Sequence, residues 1–396
     1  MIRITIDDKG CLLSHDKRCR NCVTVCPGHV LGIREEKIVV LRPEDCINCH
    51  CCKGACPGGL DVIAVERIAP LTVGDLPEER PVWDGLKVQL GRLSLATPLI
   101  VASGPVGRCT EGWIRSASAG CGAVVTKTTT PLPWPGNPAI RLLPYEKDSL
   151  LNCEGLPNLG AKAVAAEITH AKGLRPGLLV IPSLTAMTEQ EFVDMAKLFE
   201  DAGADGLEIA LMGCPNYRPG TAISQGYWIE DPTRAHALVH AVRSAVNIPI
   251  CVKGATTAAV GRACEEAGAD SLLVRSGSLR ALPLDAETGK PVLSHPRGEG
   301  SLTGPYTKLP GLKVVSDMVR QVTIPIIGNG GIASAQDVID YIRVGATAVQ
   351  LITVMIRRGL SIVPKVVADL ETLLKDQGCR SVEEIRGSAL PFLPAA

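Results

Sequence analysis

Cys46, Cys49, Cys52 and Cys56, the last followed by Pro57, form a Cys-x2-Cys-x2-Cys-x3-Cys-Pro run early in the chain. Cys19, Cys22 and Cys26-Pro27 repeat its last three positions upstream. Thiolate sulfur is a soft ligand that suits iron–sulfur clusters or zinc, and the spacing chooses between them. A structural zinc module sets its Cys pairs further apart, whereas a run closed by Cys-Pro sends its fourth thiolate across to a second cluster. The pattern therefore predicts one [4Fe–4S] centre on Cys26, Cys46, Cys49 and Cys52. A second centre is expected on Cys19, Cys22 and Cys56 plus one more ligand. Regular spacing would put that ligand at position 16, where the chain has Asp16. Cys11, the softer donor, is the favoured candidate; oxygen ligation by Asp16 or a three-iron cluster are the alternatives. Cys51 is expected to be a spectator. The chemistry implied is electron transfer.

The remaining composition narrows the setting. Lys plus Arg and Asp plus Glu each number 41 in 396 residues, so the formal net charge is zero. Such a balance gives no reason to expect a nucleic-acid or membrane-surface partner. The opening stretch MIRITIDDKG has no basic-then-apolar signal pattern, and no apolar run reaches the roughly 18 residues of a membrane span. Nine of the 16 cysteines fall in the first 56 residues at cluster spacing and the other seven are scattered. That usage predicts a reducing, cytoplasmic setting.

Two parts are expected to position this chemistry. Residues 1–68 read as a small ferredoxin-like α+β domain with strands near 2–6 and 37–40, and residues 69–84 read as a linker. From 85 to 396 short apolar runs alternate with Ala-rich helical stretches, the signature of βα repeats. Eight strands are expected, at 99–103, 123–127, 178–183, 206–211, 250–253, 271–275, 324–328 and 348–352. Amphipathic segments such as 189–202, 233–245 and 335–344 separate them. Three of the helices stop at Ala-Gly-Ala or Val-Gly-Ala, around Gly203, Gly268 and Gly345, where glycine caps a helix before the next strand. The expected fold is an α/β (β/α)8 barrel, whose chemistry sits at the C-terminal ends of its strands.

Those strand ends carry distinctive residues. The first ends Ala102-Ser103-Gly104-Pro105, small enough for a flat ligand to lie against the backbone. Lys127-Thr128 and Lys253-Gly254 end the second and fifth, and two lysines at one mouth suit an anionic or electron-rich group. Gly330-Gly331 after strand seven forms a phosphate cradle at a helix N-terminus, with Thr353 after strand eight to add a hydroxyl. Cys214-Pro215-Asn216 follows strand four. A thiol there, with a free pKa near 8.5, can exchange protons near neutrality if modestly tuned.

Taken together, these residues resemble the dihydroorotate dehydrogenase family, in the branch that includes the FMN- and cluster-containing part of dihydropyrimidine dehydrogenase. The likeness runs over residues 80–390 and rests on several motifs: Ala102-Ser103-Gly104, Thr126-Lys127-Thr128, Gly136-Asn137-Pro138, Asn152 with Gly155-Leu156-Pro157-Asn158, Cys214-Pro215-Asn216, Lys253, Gly330-Gly331-Ile332 and the stretch 381–387. The resemblance implies FMN in the barrel mouth, with Lys253 at its electron-rich edge and Lys127 near ring and substrate. Ala102, Ser103, Gly104 and Thr128 would lie along the ring, Gly330, Gly331 and Thr353 on the phosphate, and Gly300 in the same cofactor set. It also implies Cys214 as the proton-transfer residue, with Asn152 and Asn216 on the substrate. Two departures bear on the substrate: strand four lacks the family's Asn, and strand six ends in Arg275-Ser276 rather than Asn-Thr or Asn-Ser. Losing hydrogen-bond partners discriminates strongly against a given ligand, so orotate is disfavoured, and Arg275 and Ser276 become substrate candidates. Ile352 stands where the family usually has Gly.

The function expected is a flavin and iron–sulfur oxidoreductase acting on a carbon–carbon bond beside a carbonyl. The substrate is expected to resemble a dihydropyrimidine or dihydroorotate; a non-pyrimidine carboxylate or CoA-type enoyl compound is the alternative. No dinucleotide-binding Gly turn follows an early strand, so an FAD/NAD(P)H subunit or a soluble ferredoxin is the expected electron partner, in a homo- or hetero-oligomer. The competing class is a pure electron-transfer subunit.

Overall fold

The computed structural model describes residues 2–14, 19–56, 62–67, 71–212, 228–274 and 279–393. Cys214, Asn216, Arg275, Ser276 and Asp16 lie outside the described residues.

Eight parallel strand positions close a barrel, each followed by helix on the outside. Their boundaries differ from the sequence expectation by at most two residues. The third strand is split at Pro182. Val180–Ile181 pairs with Ala123–Val125, and Ser183–Leu184 pairs with Leu207–Ala210. Proline has no N–H to donate to a ladder, yet its carbonyl still accepts from the Glu208 N–H at 2.9 Å. The two halves thus hold one neighbour each, and the ring closes through Val349↔Leu99 at the other seam.

Burial on both faces explains the near-continuous apolar strands: Leu99, Ile100, Val101, Val124, Leu272 and Val349 have essentially no exposed surface. The outer helices are fixed by sequence-local devices. Thr188 and Glu191 form a capping box on the helix Glu189–Asp201, and Ser334 accepts from the Asp337 N–H at the start of Ala335–Arg343. The three expected stops are real, with φ of +92° at Gly203, +97° at Gly268 and +105° at Gly345, a conformation that costs L-residues a Cβ clash.

One element was not expected. A four-stranded antiparallel sheet, in spatial order Leu279–Ala281, Gly300–Thr303, Leu150–Asn152 and Leu142–Pro144, is assembled from two excursions out of the barrel. It stands at the barrel mouth and carries Asn152, Ser301 and Thr303.

In the N-terminal part Ile2–Ile6 pairs antiparallel with Ile63–Arg67, and Leu31–Arg34 forms a hairpin with Lys37–Val40. Two four-residue helices, Asn21–Thr24 and Cys51–Gly54, carry cysteines of the two runs. No helix among the described residues is long and apolar enough to cross a membrane.

Candidate active site and cysteine cavities

A cavity of about 360 Å³ opens at the C-terminal ends of the strands, a size that small cofactors occupy. At one end stands Lys253. Strand five bulges at Gly254, where φ is +106° and the register to strand six slips, and such bulges re-aim neighbouring side chains. The Lys253 ammonium donates to Glu208 Oε1 at 3.0 Å and to the Ser103 hydroxyl. Glu208 is fully buried, and its other oxygen accepts from Gln350 Nε2 at 2.7 Å. A buried carboxylate is tolerable only when paired and hydrogen-bonded, and here it fixes the direction of one cation. Sequence reasoning missed Glu208 and Gln350. The available signal was an ionisable or amide residue inside an otherwise apolar strand, Leu207–Ala210 or Ala348–Leu351.

The opposite end of the cavity is built from backbone. Gly330 and Gly331 line it at positive φ, with the Tyr341 hydroxyl 2.7 and 2.8 Å from the Asn329 and Gly330 carbonyls. The Thr353 hydroxyl lies 3.1 Å from that of Thr303 and opens the helix Thr353–Arg358. Lys308 is engaged by Asp337 at 2.6 Å and Asp340 at 2.7 Å, and Gly330, Gly331 and Thr353, rather than that cation, line the cavity. Ile352 lines the wall where a glycine was expected. It fits because Gly104 lacks a side chain: a Cβ there would lie 2.8 Å from Ile352 Cγ1.

Of the residues singled out from the sequence, Ala102, Ser103, Asn152, Lys253, Gly330, Gly331 and Thr353 come together around this cavity. Gly104 reaches it only through Ile352. Thr128 is buried with its hydroxyl 3.0 Å from that of Ser183. Gly300 sits one residue before the lining, packed on the Asn152 carbonyl.

Lys127 borders a second cavity, of about 230 Å³, together with Arg108, Arg141, Asn48 and His50. Its ammonium donates to Glu154 Oε2 at 3.0 Å, and Arg108 pairs with Glu154 Oε1 at 2.9 Å. Burial pulls the Lys127 pKa down despite Glu154. Burial alone would raise the Glu154 carboxyl, but Lys127 and Arg108 outweigh it and hold it below the ordinary carboxylate range.

The cysteines gather as two groups of four. Cys26, Cys46, Cys49 and Cys52 wall one small cavity; Cys11, Cys19, Cys22 and Cys56 wall the other. Among the described residues no three Cys, His, Asp or Glu side chains converge closely enough to hold a single metal ion. Four thiols spaced around a void suit a multi-iron cluster better than the tight tetrahedron of zinc. Burial, then neighbouring thiols, pushes Cys22 up to about 11 and Cys52 up to about 12. Protein alone thus disfavours the thiolates that iron would stabilise. Cys51 lines neither cavity, as a spectator thiol would not, and is fully buried in the core shared with the barrel residues.

Comparison with known proteins agrees with this architecture. The profile of the family described as dihydroorotate dehydrogenase matches residues 85–374, and that of a 4Fe-4S dicluster domain matches residues 17–60. The catalytic subunit of dihydroorotate dehydrogenase B (NAD(+)) from Thermococcus kodakarensis is 34% identical over 314 residues, covering 77% of this chain and 98% of that protein. Its counterpart from Methanocaldococcus jannaschii is 33% identical over 313 residues, with the same coverage. A crystal structure of the Eimeria tenella dihydroorotate dehydrogenase, in complex with ferulenol, superposes with a TM-score of 0.65 at 23% identity, over 81% of this chain and 92% of that one, which supports the fold. With its barrel matched from end to end and its cysteine runs matched separately, the chain belongs to the dihydroorotate dehydrogenase family of oxidoreductases and carries a 4Fe-4S dicluster domain ahead of the barrel.

Proposed function

We propose that the chain is an FMN- and iron–sulfur-dependent oxidoreductase that reduces, or forms, a carbon–carbon double bond beside a carbonyl. The observation that carries this reading is the 360 Å³ cavity, with a braced ammonium at one end and a glycine and helix-start cradle at the other. Those two ends match the electron-rich ring edge and the phosphate of FMN. Ala102, Ser103 and Lys253 would hold the ring, with Gly104 and Thr128 in support behind the wall and Gly300 behind Asn152. Gly330, Gly331 and Thr353 would hold the phosphate.

When bound, the flavin supplies two-electron hydride chemistry and the clusters supply one-electron transfer. The ligand sets are Cys26, Cys46, Cys49 and Cys52 for one cluster, and Cys11, Cys19, Cys22 and Cys56 for the other. The placement of Cys11 in the second cavity favours it over Asp16. Cys214 exchanges a proton with the substrate carbon next to the one that exchanges hydride. Asn152 and Asn216 would hydrogen-bond the substrate's carbonyl or amide edge, with Arg275 and Ser276 as further substrate-binding candidates.

The substrate class rests on the departures in strands four and six, which remove amide partners that orotate would use. They favour an uncharged unsaturated amide, pyrimidine-like, over orotate, with a non-pyrimidine enoyl compound as the alternative. The relatives named above are NAD(+)-linked catalytic subunits; by analogy, this chain would meet an electron-transfer partner.

Oxygen-free purification tests the cofactors: a flavin spectrum with about eight irons per chain supports two four-iron clusters, and a colourless protein rejects the reading. Flavin reoxidation by uracil-type amides but not by orotate would support the substrate class. Cys214→Ala is expected to cut turnover by about 10²- to 10⁴-fold with flavin content unchanged. Unchanged turnover would remove Cys214 from its role.

A further inference from the structure

Thiol exposure does not separate the two cysteine cavities, since each has two buried and two half-exposed cysteines. What packs against them does. Val25, Cys49 and Cys51 belong to the same apolar core as the barrel strands. Arg357 donates to the Pro27 carbonyl at 2.7 Å, Arg108 to Asn48 at 2.8 Å, and Arg115 to the Glu44 carbonyl. All three acceptors lie in the loops that carry Cys26, Cys46 and Cys49. Gly54, at the end of the Cys51–Gly54 helix, sits so close to the barrel that a Cβ on it would lie 2.2 Å from Ala139 Cβ.

The contrast lies behind the walls, since both linings come from the N-terminal part, between Ile6 and Ile63 for the second cavity and between Ile4 and Val65 for the first. Cys11 and Cys22 are buried in a separate core with Leu13, Leu31, Ile38, Val62, Ile63 and Val65, against which the half-buried Cys46, Cys52 and Cys56 also pack. The exposed Asp7, Asp8, Lys9 and Arg20 lie beside it. The two thiol groups are also neighbours: Cys22 and Cys56 wall one cavity while Cys26 and Cys52, four residues away in each case, wall the other.

One short helix joins the flavin cavity to the docked loop. Thr353–Arg358 begins at the phosphate cradle, spans about 9 Å at 1.5 Å per residue, and reaches Pro27 through Arg357.

We infer that the centre on Cys26, Cys46, Cys49 and Cys52 is the inner relay that exchanges electrons with the flavin, and that the centre on Cys11, Cys19, Cys22 and Cys56 is the outer one, left to meet a one-electron carrier. This rests on the reading that the cavities hold FMN and iron–sulfur clusters. For each double bond reduced, a carrier with an exposed iron–sulfur or flavin group gives up one electron at each of two encounters. Both electrons pass outer to inner to flavin and leave as a hydride with a proton drawn from solvent, and a second proton arrives through Cys214. Oxidation runs the same path in reverse.

Two double variants test the order in the full-length, anaerobically purified protein. Cys19→Ala/Cys22→Ala removes the outer centre and Cys46→Ala/Cys49→Ala the inner one, with iron content and electron paramagnetic resonance confirming which remains. The flavin is then photoreduced and reduction of the remaining centre is followed by absorbance. Without the outer centre, exchange is expected at the wild-type rate. Without the inner centre it is expected to slow at least about 100-fold, a barrier rise of about 2.7 kcal/mol. Equal rates, or the reverse pattern, would overturn the assignment. A third variant leaves every ligand in place: Ala139→Leu wedges the barrel against Gly54, and with both clusters retained it should slow exchange by about tenfold, or 1.4 kcal/mol. An unchanged rate there also counts against the inner assignment. Wild-type protein lacking iron or flavin would instead defeat the functional reading beneath it.

Discussion

In the barrel, strand residues such as Leu99, Val124 and Leu272 are fully buried against one another, and even the buried Glu208 finds Lys253 and Gln350. In the N-terminal part, eight cysteines face two small voids, and among the described residues the buried members of its compact apolar core are Cys11, Leu13, Cys22, Leu31, Ile38, Val62, Ile63 and Val65. Each fully buried aliphatic side chain contributes about 1.5–3 kcal/mol, and a domain of roughly 60 residues buries too small a fraction of its surface to be more than marginal alone. The barrel therefore closes on side chains. The cysteine-rich part closes on metal, and binding free energy there is folding free energy.

The sharpest way to break this contrast is to remove the iron. Chelation under oxygen-free conditions should leave the barrel amides protected from hydrogen exchange while protection in the segment up to residue 67 is lost. A small domain that keeps its protection without iron would contradict the comparison. Within the barrel, Glu208→Gln should lower stability by about 3 kcal/mol, because it strands the Lys253 ammonium beside the cavity. Thermal unfolding and FMN titration would read this, and a loss of FMN affinity without loss of stability would show that the pair serves the ligand alone.

Glu154→Gln is expected to have a smaller effect, about 1–2 kcal/mol at pH 7, from weakened charge-assisted hydrogen bonds to Lys127 and Arg108. Its pH dependence has a defined sign. A carboxyl held low in the folded state contributes stability fully above its ordinary value, and that contribution is lost as pH falls through the depressed one. The variant's melting temperature should thus fall less steeply on acidification than the wild type's, and parallel acid limbs would remove Glu154 from the balance.

Much of this molecule was legible in the sequence because its signals are local. Cysteine spacing depends on neighbours a few residues apart, and the seven regularly spaced thiols divide between the two cavities along those lines; Cys11, off the regular spacing and preferred only as the softer donor, walls the second. The helix stops at Gly203, Gly268 and Gly345 are equally local. What stayed hidden is long-range. Glu208 meets Gln350 across 142 positions, and Lys127 turns towards Glu154 on an excursion whose sheet is completed by residues 300–303. What Cys51 packs against was equally hidden, because that core belongs to the barrel part of the chain. Strand periodicity says which residues face inward, but it does not say which inward residues will meet.

The helix Thr353–Arg358 has a consequence for how this protein can change. It is barely longer than one turn and a half, with the cradle hydroxyl at its first residue, the Pro27 contact at its fifth, and Gly359 at φ +80° tucked under Asp45 immediately after. Nothing in so short a span can absorb an inserted or deleted residue. One added position would rotate Arg357 by about 100° around the axis and swing it off the neighbouring loop. The exposed turn 285–290 can take an added residue at little cost, while these six residues are held to a fixed count.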